Sequence, residues 1–333
     1  MSLVYIADNG ATIGVEGNKI KIKYKDGMLR TLPIETVDGI TLLGKAQLTT
    51  QSMEAFLNKG IPVSFFSKGG KYFGRLLSTG HIKAALQRKQ AALYETDFAL
   101  ELSKKLISAK VNNQLVVLRR YARSKGVDIS SQEFYMKNSK KKIASISAVN
   151  ELMGYEGNAA KAYFDGLSQC IDEDFAFKGR SKRPPRDEFN SMISLGYSIL
   201  MNELYSEIEN KGLNPYFGFM HKDAEKHPTL ASDMIEEWRA VLIDSLAMSM
   251  INGHEVTKED FVLDTDELGC FLTKQCLAKY LKKLEDKLET RTKYLSYVEY
   301  IVNFRTAISM QIDMLSKAIE YENPNLYTPI EIR

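Results

Sequence analysis

At Leu77-Ser-Thr-Gly80-His81 the hydrophobic period of the chain changes, and no other feature of the sequence constrains the fold more. Before this stretch apolar and polar residues alternate, the period of a half-buried strand; after it apolar residues recur every three or four, the period of a helix packed on one side. The pattern predicts an α+β chain. A β-domain with one short helix occupies 1–78, a linker 79–84, and a larger all-α domain 85–333. With 333 residues, 44% of them hydrophobic, the chain is long enough for two cores.

Within the first region, strands are expected at Val4–Ile6, Thr12–Val15, Lys19–Tyr24 and Leu29–Leu32, the third showing the clearest alternation. Glu16-Gly17-Asn18 and Lys25-Asp26-Gly27 supply the residues that tight turns between strands require, so the economical reading is a β-meander. A further strand at Gly39–Leu43 leads to a helix over Thr50–Asn58, capped by Thr49 or Thr50 and stopped at Lys59-Gly60. Strands at Ile61–Phe66 and Tyr72–Leu76 complete the domain. The later helices are expected at 84–124, 145–168, 187–211, 233–251, 270–292 and 294–320, and the loops at 125–142, 170–186, 212–232 and 252–269.

Charge and cysteine usage narrow the function classes. The net charge of +3 is too small to mark a nucleic-acid binder, but the first 90 residues carry 13 Lys and Arg against 6 Asp and Glu, leaving the remainder acidic. Three cysteines, Cys170, Cys270 and Cys276, form no CxxC pair, which supports neither a disulfide framework nor a cysteine zinc site. The start Met-Ser-Leu-Val-Tyr-Ile-Ala-Asp lacks the basic and apolar regions of a signal peptide, and no apolar stretch approaches the ~20 residues of a spanning helix. A cytoplasmic location without membrane contact is expected.

Three segments carry candidate chemistry. On a helix from Asp233, the acids Asp233, Glu236, Glu237 and Asp244 fall on one arc, and Met234, Trp238, Val241 and Leu242 on another that faces the core. Taken alone, such an acidic arc is a solvated stripe more often than a site. His221 follows the apolar run Tyr216-Phe-Gly-Phe-Met, where an imidazole needs a partner, whereas His81, His227 and His254 read as surface residues. Glu156 sits on a helix with Ala159, Ala160 and Ala162, small side chains that permit close approach. Glu151 lies about 140° away from it on the wheel, and Tyr163 nearly beneath it.

Two acids and a histidine are suitable ligands for magnesium or manganese, and such an ion neutralises a phosphate oxygen and activates an attacking oxygen in phosphodiester chemistry. Basic residues near these acids provide the complement. Lys178, Arg180, Lys182, Arg183 and Arg186 surround Pro184-Pro185 between the candidate segments, and Lys137, Lys140, Lys141 and Lys142 form a second cluster.

Four segments then match a known family: Glu156-Gly-Asn-Ala-Ala-Lys-Ala-Tyr163, Arg183-Pro-Pro-Arg186-Asp187, Asn214-Pro-Tyr-Phe-Gly-Phe-Met-His221 and Leu230-Ala-Ser-Asp-Met-Ile-Glu-Glu-Trp-Arg239. Together, in this order and at these intervals, they resemble the CRISPR-associated Cas-one proteins over nearly the whole chain. The resemblance implies a metal-dependent DNA endonuclease and integrase, with Glu156, His221 and Glu236 as catalytic metal ligands, Asp233 assisting, and Mg2+ or Mn2+ as the ion. It implies insertion of short double-stranded DNA fragments into the repeat of a CRISPR array, by attack of a 3′-hydroxyl on a phosphodiester. It also implies a homodimer formed through the β-domain and assembly with the small Cas-two protein. Tyr163 and Arg183 are expected beside the DNA with the other basic-loop residues. The alternative classes are a non-catalytic nucleic-acid-binding scaffold, in which the acids are surface stripes, and a helical adaptor.

Overall fold

The computed structural model describes the chain except for residues 1, 68–70, 81, 183, 265–268, 294–297, 299 and 333. It divides into two compact units, Met1–Ile82 and Lys83–Arg333.

The first unit contains β1 (Ser2–Ile6), β2 (Thr12–Glu16), β3 (Lys19–Lys23), β4 (Leu29–Pro33), β5 (Val37–Leu43), β6 (Gln47–Leu48), α1 (Thr50–Lys59), β7 (Val63–Phe66) and β8 (Tyr72–Leu76). Two four-stranded sheets form, in the orders β1-β5-β7-β8 and β4-β3-β2-β6. The expected meander holds only for β2, β3 and β4. β1 pairs in parallel with β5 and β5 with β7, so one sheet is assembled from segments distant in sequence. The reason lies in β5: all but one of its residues are buried, as in a central strand covered on both faces. Ile6, Ile13, Ile20, Ile22, Ile40 and Phe56 fill the core between these elements. α1 is capped by the Thr49 hydroxyl, which accepts from Ser52 N at 3.2 Å, and ends at Gly60, whose φ of 69° suits glycine.

The second unit contains α2 (Ala84–Ala92), α3 (Asp97–Lys125), α4 (Ser130–Ile143), α5 (Val149–Cys170), α6 (Glu188–Asn210), α7 (Thr229–Met234), a π-helical segment (Arg239–Asp244) and α8 (Ser245–Asn252). After these come β9 (Phe261–Asp264), β10 (Gly269–Leu272), α9 (Lys274–Leu288), β11 (Arg291–Thr292), β12 (Val302–Asn303) and α10 (Phe304–Glu320). The antiparallel pairs β9–β10 and β11–β12 are small additions to what the sequence presents as wholly helical.

Four expected elements differ. The helix over 84–124 is two helices, broken where Glu95 takes a φ of 56° and the Thr96 hydroxyl bonds back to the Leu93 carbonyl. The expected loop over 125–142 contains α4, whose Met136, Ser139 and Ile143 are buried at spacings of three and four, a face hidden in the sequence by the surrounding lysines. The single helix over 233–251 is replaced by α7, a turn, the π-helical segment and α8. Its wheel at 100° per residue therefore does not apply, and the acidic arc does not exist as a surface stripe. The helix expected over 294–320 begins only at Phe304: five of the ten residues before it lie outside the described residues, and Val302–Asn303 form β12.

A candidate metal centre around a buried lysine

α3 is the spine of the helical unit, and α5 lies close against it. At Gly166 of α5 an added Cβ would stand 2.9 Å from the Leu118 methyls of α3, so any larger residue would force that side chain to shift. The close packing puts Lys110 of α3 opposite Glu156 of α5. Its ammonium pairs with Glu156 Oε1 and, at 2.6 Å, with Glu236 Oε2, joining two helices and the turn after α7 through one buried cation.

Glu236 is almost fully buried. Its Oε1 accepts from Arg239 Nε at 3.1 Å, while Oε2 has no hydrogen bond and meets only the Lys110 ammonium, whose approach is close enough for an ion pair but off the hydrogen-bonding direction. Burial by itself raises the pKa of this carboxyl; the charges of Arg239 and Lys110 outweigh it and hold the group at about 2. Arg239 is fixed in turn, with its guanidinium 4.4 Å above the Tyr197 ring.

His221 closes the loop from Asn214 to Met220. Gly218 lies so close to Thr229 and Asp233 that a Cβ would stand 2.8–2.9 Å from both, and its N–H donates to the Thr229 hydroxyl at 2.9 Å. Asp233, completely buried, accepts from Phe219 N (2.6 Å) and Met220 N (3.0 Å) on Oδ2, and from His221 N (3.0 Å) on Oδ1. His221 Nδ1 lies 2.7 Å from the same Oδ1. The carboxylate is an acceptor only, so Nδ1 carries the proton and Nε2 keeps its lone pair for a ligand. Burial works against protonation of His221, but Asp233, through its hydrogen bond and charge, together with Glu236 raises the imidazole pKa above its ordinary value. The site thus has two carboxylates neutralised by Lys110 and Arg239, and one imidazole oriented by Asp233.

The other acids expected beside them point elsewhere. Glu237 Oε1 accepts from Gln311 (3.0 Å) and the Tyr327 hydroxyl, and Oε2 from Ile330 N (2.8 Å), which ties the C-terminal segment to the core. Asp244 accepts from the hydroxyls of Tyr163 (3.0 Å) and Tyr197. This corrects the expectation for Tyr163: its side chain has no exposed surface and supports Asp244, so it is not available to DNA. Arg180 is half-buried, bonded to Asn190 Oδ1 (2.8 Å) and Ser194 Oγ (3.0 Å) and set 5.5 Å above the Tyr197 ring; it braces the start of α6. Lys178, Lys182 and Arg186 are exposed, and Arg183 lies outside the described residues. The lysines of α4 are likewise displayed on a helix, with Lys137 paired to Glu133 and Lys140 to Glu331. His227 is half-buried, its Nε2 3.0 Å from the Ser232 hydroxyl.

Among the described residues no three His, Cys, Asp or Glu side chains are already gathered as a metal-binding group. The donor set nevertheless fits a hard divalent cation: two carboxylates that already share one cation, and an imidazole with its second nitrogen fixed. Lys110, Arg239 and Tyr197 were not among the expected site residues. The signal for Lys110 was present, since Leu106, Lys110 and Val117 share one face of α3 and the other two are apolar.

Residues 4–286 match the family model described as CRISPR associated protein Cas1. The chain is 34% identical over 335 residues to the CRISPR-associated endonuclease Cas1 of Mycobacterium tuberculosis, covering 100% of this chain and 98% of that one. It is 32% identical to a CRISPR-associated endonuclease Cas1 of Thermus thermophilus, covering 100% and 98%. A solved CAS1 protein from Thermotoga maritima superposes with a TM-score of 0.82 at 25% identity, over 96% of this chain and 97% of that chain.

Proposed function

Because the chain belongs to the CRISPR-associated Cas1 family, we propose that Glu156, His221 and Glu236 form the catalytic centre through which it acts as an endonuclease and integrase of DNA in spacer acquisition. The observation that carries this reading is the convergence of Glu156 and Glu236, 80 positions apart, on a single buried cation, with His221 held alongside Glu236. A scaffold with acidic surface stripes would have no reason to bury these groups, since desolvating charges is costly unless their pairing serves something.

Glu156, His221 and Glu236 would hold Mg2+ or Mn2+. When bound, the ion supplies charge neutralisation at a phosphate oxygen and lowers the pKa of an attacking hydroxyl or water. The protein's own residues supply the rest. Asp233 fixes the His221 ring through Nδ1, and the three backbone N–H bonds to Asp233 keep the loop from Phe219 to His221 in place. Arg239 keeps Glu236 ionised and directed. Lys110, whose long flexible stem lets the ammonium move, holds the carboxylates together when no divalent ion is present and yields those oxygens to the ion.

In integration a 3′-hydroxyl oxygen attacks phosphorus as the target's P–O bond breaks; one phosphodiester replaces another and a new 3′-hydroxyl leaves, so no ATP is consumed. Exposed Lys178, Lys182 and Arg186 would contact phosphates, with Arg183 from the same loop. Double-stranded fragments and the repeat are the DNA partners, and a homodimer with the small Cas-two protein is the working assembly. No helix among the described residues is long and apolar enough to cross a membrane.

The test is strand transfer by Glu156→Ala, His221→Ala and Glu236→Ala, each checked for folding and DNA affinity. Each should lose at least a hundred-fold in rate while binding DNA nearly as before. Full metal-dependent activity in all three would overturn the assignment.

A further inference from the structure

A second polar feature of the helical unit plays no part in this chemistry. A cavity of about 180 Å³ lies between α3, the π-helical segment, α8, the end of α9 and the start of α10; its polar lining is Arg120, Lys287, Ser245 and Thr290, and the remainder is apolar. Lys287 Nζ donates to the Ser245 hydroxyl, which itself donates to the Val241 carbonyl at 2.7 Å. Neither Lys287 nor Arg120 has an ion-pair partner among the described residues. The acid with a charge interaction on Lys287 is Asp244, whose oxygens are already taken by Tyr163 and Tyr197.

Two cations thus line one cavity with no carboxylate among its described lining residues; Arg120 is exposed and Lys287 half-buried, so water screens their repulsion only in part, and an anion between them would relieve the rest. Burial, and next the charge of Arg120, push the Lys287 pKa down to about 7, as expected for an ammonium without a counter-charge. The donors it offers are the ammonium and the guanidinium fork, because the Thr290 hydroxyl already donates to the Asp286 carbonyl at 2.9 Å. The volume equals the share of about six waters, room for one tetrahedral group but not for a nucleotide.

We propose that Arg120 and Lys287 form a site for a single phosphate-type oxyanion, separate from the Glu156–His221–Glu236 cluster. Arg120 lies ten positions beyond Lys110 on α3, about 15 Å along the helix, so the two sites share a spine without sharing residues. The occupant is either a backbone phosphate of bound DNA or free phosphate. The chemistry of recognition is the same for both.

The test uses the full chain, inorganic phosphate as probe, and Lys287→Met and Arg120→Gln variants. Lys287→Met removes a half-buried charge that has no ion-pair partner among the described residues, so it should fold and melt no lower than wild type in phosphate-free buffer at matched ionic strength. Phosphate should raise the wild-type melting temperature in a saturable way, and both variants should bind it at least ten-fold more weakly. If phosphate shifts wild type and variants equally, the effect is solvent exclusion and the proposal fails. Fluorescence anisotropy with a short DNA duplex identifies the source. If phosphate competes with DNA on wild type and Arg120→Gln lowers both affinity and the salt slope by about one, the occupant is a DNA phosphate. Unaltered DNA binding by both variants, with phosphate binding lost, identifies a free anion.

Discussion

Lys110 and Glu236 meet at 2.6 Å in the interior of the helical unit, and the same ammonium pairs with Glu156. A lysine therefore stands where two carboxylates from separate elements converge. Lys110→Met should bind Mn2+ about ten-fold more tightly than wild type, because the ion no longer competes with a tethered cation. It should also be less stable in chelator, by about 3–5 kcal/mol, because two buried carboxylates lose their counter-charge. Calorimetric titration with Mn2+ and urea unfolding in EDTA measure the two effects; unchanged or weaker Mn2+ affinity would show that Lys110 does not compete for the site.

Asp233 acts on His221. Asp233→Asn keeps an oxygen for the backbone N–H groups but removes the negative charge that orients and charges the ring. The His221 pKa, followed by NMR, should fall, and metal affinity should drop about 10–100-fold. Wild-type behaviour in both measurements would mean that Asp233 only shapes the loop.

The buried carboxyl of Glu237 makes stability depend on pH. Burial raises its folded pKa from 4.5 to about 7 against the opposing hydrogen bonds from Tyr327, Ile330 N and Gln311. A raised pKa means that the folded state binds the proton more tightly than the unfolded one. The stability contributed is therefore complete below about pH 4.5, is lost as pH rises towards 7, and amounts to roughly 3 kcal/mol over that window. Urea unfolding in chelator across pH 4.5–8 should show a smaller loss for Glu237→Gln than for wild type; identical slopes would show that Glu237 does not titrate there.

Tyr163 and the basic loop separate support from contact. Tyr163→Phe should lose about 1 kcal/mol of stability and leave DNA affinity unaltered, since its hydroxyl bonds Asp244 in the core. Charge reversal at Lys178, Lys182 and Arg186 should weaken DNA binding and flatten its salt dependence without affecting stability. Anisotropy titrations at several salt concentrations compare the two, and weakened binding by Tyr163→Phe alone would contradict the burial argument.

Much of the fold was legible because its cause is local. The period change near Leu77, the Thr49 cap and Gly60 stop of α1, and the glycine-bearing turns around β3 are each written in a few adjacent residues. The parallel pairing of β1 with β5 was not, because its partners lie more than thirty positions apart and no turn joins them. α4 was hidden by lysines that cover its apolar spacing.

Of the proposed site, the sequence by itself determined the residue types and their order: Glu156, the glycine-bearing run into His221, and the acids after Ser232. Only the tertiary structure separated those acids into Asp233 as orienter of His221, Glu236 as partner of Lys110, and Glu237 and Asp244 as buried acceptors for the core. The physical reason is that periodicity records which face of an element is apolar. Charge pairing across elements depends on through-space distance after packing, and in this chain the π-helical segment breaks the one regular helix from which those directions might have been read.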